Sequence, residues 1–227
     1  SGYPSAFNSE AVFMEQLGMG KTVEDARTGG TSGCVETGSF GKEAYILHGY
    51  LNVPKIMELA LNNGTDPLSG KRIGLETGAP QTFTCYEEFY QAFEKQLHYV
   101  VDTKIRTDNY IQRMFARHAP APYLSVLIHD CIENGRDYYD GGPRYNTDYI
   151  QCCGIGTVTD SFSVLKKHVF EEKTVTLADL LRALHENWEG WEEMRQFIWN
   201  RTPFFGNDDE EADSIMQKVY ASLLNAI

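Results

Sequence analysis

Cys34 and Glu36 are the two side chains whose types and spacing could do chemistry together. In an extended segment residues i and i+2 point to the same side about 7 Å apart, so a thiol and a carboxylate placed this way can reach one small ligand. A carboxylate beside a thiol raises the thiol's pKa, which disfavours a thiolate nucleophile of the hydrolase type. A neutral S–H suits this pair better, and it can break homolytically with no charge formed. By itself the triplet is also what a cysteine packed as a small hydrophobe would show. A thiol-dependent hydrolase therefore stays as a rival, and it predicts alkylation of Cys34 near neutral pH.

Five glycines surround the pair: Gly29, Gly30, Gly33, Gly38 and Gly41. Glycine is costly in chain entropy and is retained where the backbone turns sharply or approaches something closely. A phosphate-binding loop is excluded by its order, because Gly41-Lys42 is followed by Glu43 and not by Ser or Thr.

The elements that must position this loop can be read from periodicity. A helix over 10–17 follows a short strand and a cap at Asn8-Ser9, and a second short helix is capped by Thr22. Residues 29–41 break the helical pattern and read as a loop with one extended piece. Pro54 opens a helix that ends at Asn63-Gly64, and an amphipathic helix spans 86–117 with Phe89, Tyr90, Phe93 and Leu97 on one face. Residues 124–128 read as a buried strand or a strand-to-helix step, and 149–159 as a β-rich run with a glycine bend. Helices follow over 160–170, 176–187, 190–199 and 208–224. Strands interleaved with helices indicate an α/β architecture.

The 227 residues carry 20 basic and 32 acidic side chains, a net charge of -12, and 42% hydrophobic residues. That is enough for a core, and the charge would repel nucleic acid and anionic lipid surfaces, so neither is expected as a partner. Apolar runs are too short for a membrane span and the start is no signal peptide, so a cytoplasmic protein is expected. The five cysteines lack disulfide or zinc spacing and read as reduced thiols; no metal is expected. His98, His118, His129, His168 and His185 read as surface or capping residues, and Trp188, Trp191, Phe197 and Trp199 as core.

The loop Gly29-Gly-Thr-Ser-Gly-Cys34-Val35-Glu36-Thr-Gly38 resembles the thiyl-radical loop of the glycyl radical enzymes, the pyruvate formate-lyase superfamily. The likeness continues through Phe40 to Tyr45, Gly49-Tyr50, Pro54-Lys55-Ile56, Leu61 to Gly64 and Glu76-Thr77-Gly78. It reappears at Arg144 to Thr147, Gly154 to Ser161 and Phe205 to Asp209, and so covers nearly the whole of 1–227. The resemblance implies part of a ten-stranded α/β barrel with the cysteine loop, 29–41, at its centre. Cys34 would be the transient thiyl that abstracts a substrate hydrogen, Glu36 would move a proton as the leaving group departs, and Tyr50 would contact substrate. The loop is most similar to that of the branch that dehydrates trans-4-hydroxy-L-proline; a diol dehydratase, a C–N or C–S lyase, and a non-catalytic fragment are the alternatives. No bound cofactor is implied. The radical would be stored on a glycine outside this segment, installed by a radical S-adenosylmethionine activating enzyme in an anaerobic organism, and a homodimer is the assembly to test for. Ser1-Gly2-Tyr3 is not read as that glycine's loop, so the chain reads as a central piece of a longer polypeptide. His48 and the vicinal Cys152-Cys153 depart from the branch's pattern, and Cys152-Cys153 read as gap fillers rather than acyl carriers.

Overall fold

The structure, a computed structural model, describes residues 6–33 and 35–227. The reading of Cys34, and the start of the strand expected ahead of Asn8, fall outside these; the described part of that stretch, residues 6–8, is not a strand. Asn8 caps α1 (Ser9–Gly18), its Oδ1 accepting the Glu10 N–H at 2.9 Å, and Thr22 caps α2 (Val23–Arg27), accepting the Asp25 N–H at 3.1 Å. The glycine-rich segment is not an irregular loop. It forms an antiparallel hairpin of β1 (Gly29–Ser32) and β2 (Glu36–Ser39), with Gly29 opposite Ser39 and Ser32 opposite Glu36.

β3 (Glu43–Asn52), which periodicity did not indicate, pairs with β4 (Tyr145–Cys153). Between them run α3 (Val53–Leu61), α4 (Tyr86–His118), α5 (Pro122–Ser125) and α6 (His129–Asn134). The expected strand near 124–128 is instead the short α5 and its exit. Pro122 sits at its first turn, and Ser125 Oγ donates to the Ala121 carbonyl at 2.8 Å, so Val126 and Leu127 end up exposed.

The β-rich run ends sooner than expected, because Gly154 adopts φ 80° and starts α7 (Ile155–Val164). A π-helical stretch, Leu165–Glu171, continues it, followed by α8 (Leu177–His185), α9 (Glu192–Arg201) and α10 (Glu210–Ala226). Among the described residues no helix is long and apolar enough to cross a membrane.

The chain divides into two compact units, Ser1–Tyr50 with Arg106–Gln151, and Leu51–Ile105 with Cys152–Ile227. The first holds the hairpin, and its small apolar cluster is Ala44, Ile128, Cys131 and Tyr138. In the second, Phe162 of α7 is enclosed by α4, its ring centroid 4.9 Å from that of Tyr90 and 5.1 Å from that of Phe93. Tyr90 reaches α10 through a 2.9 Å hydrogen bond with Ser222 Oγ.

Two side-chain expectations are corrected in the second unit. His168 is fully buried between Thr174 and Thr202 rather than at the surface, at 3.2 and 3.0 Å. The tryptophan-rich stretch is not core: Trp199 is 67% exposed and Phe197 is exposed, while the intervening Ile198 is buried.

Candidate functional site

The hairpin presents two faces. Cross-strand partners and residues two apart share a side, which groups Gly30, Ser32, Glu36 and Gly38 on one face and Gly29, Thr31, Thr37 and Ser39 on the other. The second face rests on α1, where Gln16 Nε2 donates to Thr37 Oγ1 at 3.2 Å and Thr37 Oγ1 donates to Glu15 at 2.9 Å. On the first face the Glu36 side chain is buried, and its Oε2 accepts the Val35 N–H at 3.2 Å. The carboxylate is thus turned back over the 33–35 connection that contains Cys34; Cys34 itself lies outside the described residues.

The glycines are explained by close approach more than by dihedral angle. A methyl group at Gly30 would lie 2.6 Å from the Phe40 ring, and one at Gly38 would lie 2.5 Å from Glu43 Oε2 and 2.7 Å from the Tyr45 ring. Gly33, at φ 59°, and Gly41, at φ 71°, are the members of this set that need the left-handed region.

Beneath the hairpin are charged groups that motif reading did not single out. Glu43, fully buried, pairs with the equally buried Lys21, accepts the Ser39 N–H at 2.6 Å and accepts from the Thr147 hydroxyl. Lys21 also donates to Gln16, and the Tyr149 hydroxyl donates to the Thr37 carbonyl. Asp25, 2% exposed, receives Lys42 at 2.5 Å, Tyr145 Oη at 2.8 Å and Arg144 at 3.1 Å. Chiefly the Lys42 ammonium, with Tyr145 and Arg144, holds the Asp25 carboxyl far below the usual carboxylate range despite its burial. Arg144, Tyr145 and Thr147, part of the family resemblance, therefore tie α2 and the start of β3 to β4. The signal that could have found Lys21, Asp25 and Glu43 is the presence of charges inside otherwise packed elements, but sequence does not show that they are buried.

Tyr50 lies near the end of β3, 68% exposed, and its hydroxyl takes no hydrogen-bond partner among the described residues. Tyr50 and Glu36 belong to the same compact unit. His48 turns to two acids, with Nε2 3.1 Å from Asp148 Oδ1 and Nδ1 3.8 Å from Asp108 Oδ2. At the end of β4 Cys152 is half buried and Cys153 is exposed. Burial, and then the neighbouring Cys153, push the Cys152 thiol up. No cluster of metal-ligating side chains occurs among the described residues.

Comparison with known proteins gives one consistent result. The family model for pyruvate formate lyase-like proteins matches residues 1–227. The chain is 53% identical over 226 residues to trans-4-hydroxy-L-proline dehydratase of Clostridioides difficile, covering 100% of this chain and 29% of that protein. The crystal structure of hydroxyproline dehydratase from the same organism, with trans-4-hydroxy-L-proline bound, matches 99% of this chain and 28% of its own at a TM-score of 0.95. The glycerol-bound B12-independent glycerol dehydratase of Clostridium butyricum matches at 32% identity and a TM-score of 0.90, over 100% of this chain and 28% of its own. The chain thus spans less than a third of the length of these relatives, and the α/β expectation holds for part of their barrel. It belongs to the pyruvate formate lyase-like family, within the glycyl radical enzyme superfamily.

Proposed function

We propose that this chain supplies the cysteine loop of a glycyl radical dehydratase that removes water from trans-4-hydroxy-L-proline. The observation that carries the reading is the 53% identity, sustained over the whole chain, to a dehydratase of that substrate. A glycine-centred radical elsewhere in the polypeptide, installed anaerobically by a radical S-adenosylmethionine enzyme, would supply the oxidising equivalent.

The residues of this chain would then act in sequence. The Cys34 sulfur takes a hydrogen atom from the carbon beside the ring nitrogen, so that a C–H bond breaks and an S–H bond forms. The C–O bond breaks, Glu36 handles the proton that the departing hydroxyl requires, and water leaves. The product radical recovers its hydrogen atom from Cys34. Tyr50, with an uncommitted hydroxyl, hydrogen-bonds the substrate hydroxyl or amine.

Elimination from a diol is the second reading, favoured by the glycerol dehydratase match. The test is to activate the full-length gene product anaerobically, detect the glycine radical by electron paramagnetic resonance and supply each substrate. Hydroxyproline should be dehydrated, and Cys34→Ser should stop turnover while keeping the stored radical. Product from Cys34→Ser would overturn the assignment, and turnover of glycerol alone would replace the substrate.

A further inference from the structure

We infer that Lys21 and Glu43 form a positioning pair for the loop, setting the register and height of the strand that bears Glu36. The inference rests on the proposed function for its catalytic consequence, but its geometry stands alone. Four segments meet at these two charges. Glu43 opens β3, takes the Ser39 N–H of β2 at 2.6 Å, takes the Thr147 hydroxyl of β4, and pairs with Lys21 from the turn between α1 and α2. Lys21 in turn donates to Gln16, whose amide donates to Thr37 at 3.2 Å.

Residues 37 and 39 are therefore each held by this pair, Thr37 through Gln16 and Ser39 by its backbone, while the Glu43 carboxylate fills the space that a side chain at Gly38 would need. Glu36 is the next residue along the same strand, and the ladder ends at its pairing with Ser32. The side chains of Lys21 and Glu43 are 2% and 0% exposed. A buried ion pair is weak evidence for stability, since apolar side chains of similar volume can replace it without loss. What apolar side chains cannot do is accept the Ser39 N–H or hold Gln16 against Thr37, and a displacement near 1 Å at a reacting group can cost about 100-fold in rate.

The test uses the activated full-length protein with Glu43→Gln and the charge-free double variant Lys21→Met/Glu43→Leu. Amide hydrogen exchange over 35–39 reads the positioning without any substrate, and dehydration reads its consequence. Both variants should exchange these amides faster, keep the glycine radical signal, and lose at least 10-fold in kcat with KM within twofold. The double variant should recover the melting temperature but not kcat. Wild-type kcat in either folded variant, or exchange over 35–39 unchanged from wild type, would overturn the inference; if Glu43→Gln does not fold, the double variant decides alone. Failure of the wild type to dehydrate hydroxyproline, with exchange still faster in the variants, counts against the proposed function only.

Discussion

Arg144 and Asp25 are joined by a 3.1 Å contact between a guanidinium that is 45% exposed and a carboxylate that is 2% exposed. The same guanidinium takes Asp130 in a two-pronged grip, at 3.0 and 3.1 Å. Lys42, Tyr145 and Arg144 together hold the Asp25 carboxyl far below its ordinary range. A carboxylate whose pKa falls on folding adds stability that is complete above its unfolded value, about 4, and is lost as the pH drops below it. Thermal unfolding of the full-length protein from pH 7 to 3 should therefore show a steeper loss for wild type than for Asp25→Asn. Parallel curves would count against this role.

Gly38 is confined by contact, not by dihedral angle, since a methyl group there meets Glu43 Oε2 at 2.5 Å and the Tyr45 ring at 2.7 Å. Gly38→Ala should destabilise the hairpin unit by about 1–3 kcal/mol, as overpacking of a closed site does. It should also reduce turnover, because the displaced carboxylate is the one that receives the Ser39 N–H. Denaturant unfolding and steady-state kinetics check the two effects, and a neutral Gly38→Ala would mean that the strand gives way at no cost.

Tyr50 offers the opposite case, an exposed side chain with little to lose structurally. Tyr50→Phe should leave the melting temperature unchanged and lower kcat/KM about 10- to 100-fold, the worth of a hydrogen bond to a charged or polar substrate group. Unchanged kcat/KM would remove Tyr50 from the substrate contacts.

His168 sits in the π-helical stretch with both ring nitrogens engaged by threonine hydroxyls. Burial lowers its pKa and favours the neutral ring, against the opposing pull of Glu172 at 3.8 Å. The folded state then binds fewer protons than the unfolded one, so this contribution is complete above about pH 6.5 and fades below it. His168→Gln should flatten the change in melting temperature between pH 8 and pH 5.5, and an unchanged profile would reject the assignment.

The amphipathic helix over α4 was legible because its stripe of Phe89, Tyr90, Phe93 and Leu97 is local, and all four side chains are buried. The cap at Thr22 and the stop at Asn63-Gly64 were legible for the same reason, since each is decided within a few residues. β3 was not, because Glu43–Asn52 alternates poorly and Gly49, at φ 87°, interrupts it. Its pairing with β4 comes from nearly a hundred residues away, beyond the reach of any local pattern.

What the sequence determined by itself is the chemistry on offer: a thiol and a carboxylate two residues apart, glycines on either side, and the family to which the loop belongs. The tertiary structure decided that this segment is a hairpin, and that Gly30 and Gly38 leave the room that Phe40, Tyr45 and Glu43 occupy. It also decided that Lys21, Asp25 and Glu43 are buried ions and not solvated ones. The reason is physical. Reactivity and backbone freedom belong to a residue and its neighbours in the chain, whereas burial and charge pairing depend on which distant segments fold against it.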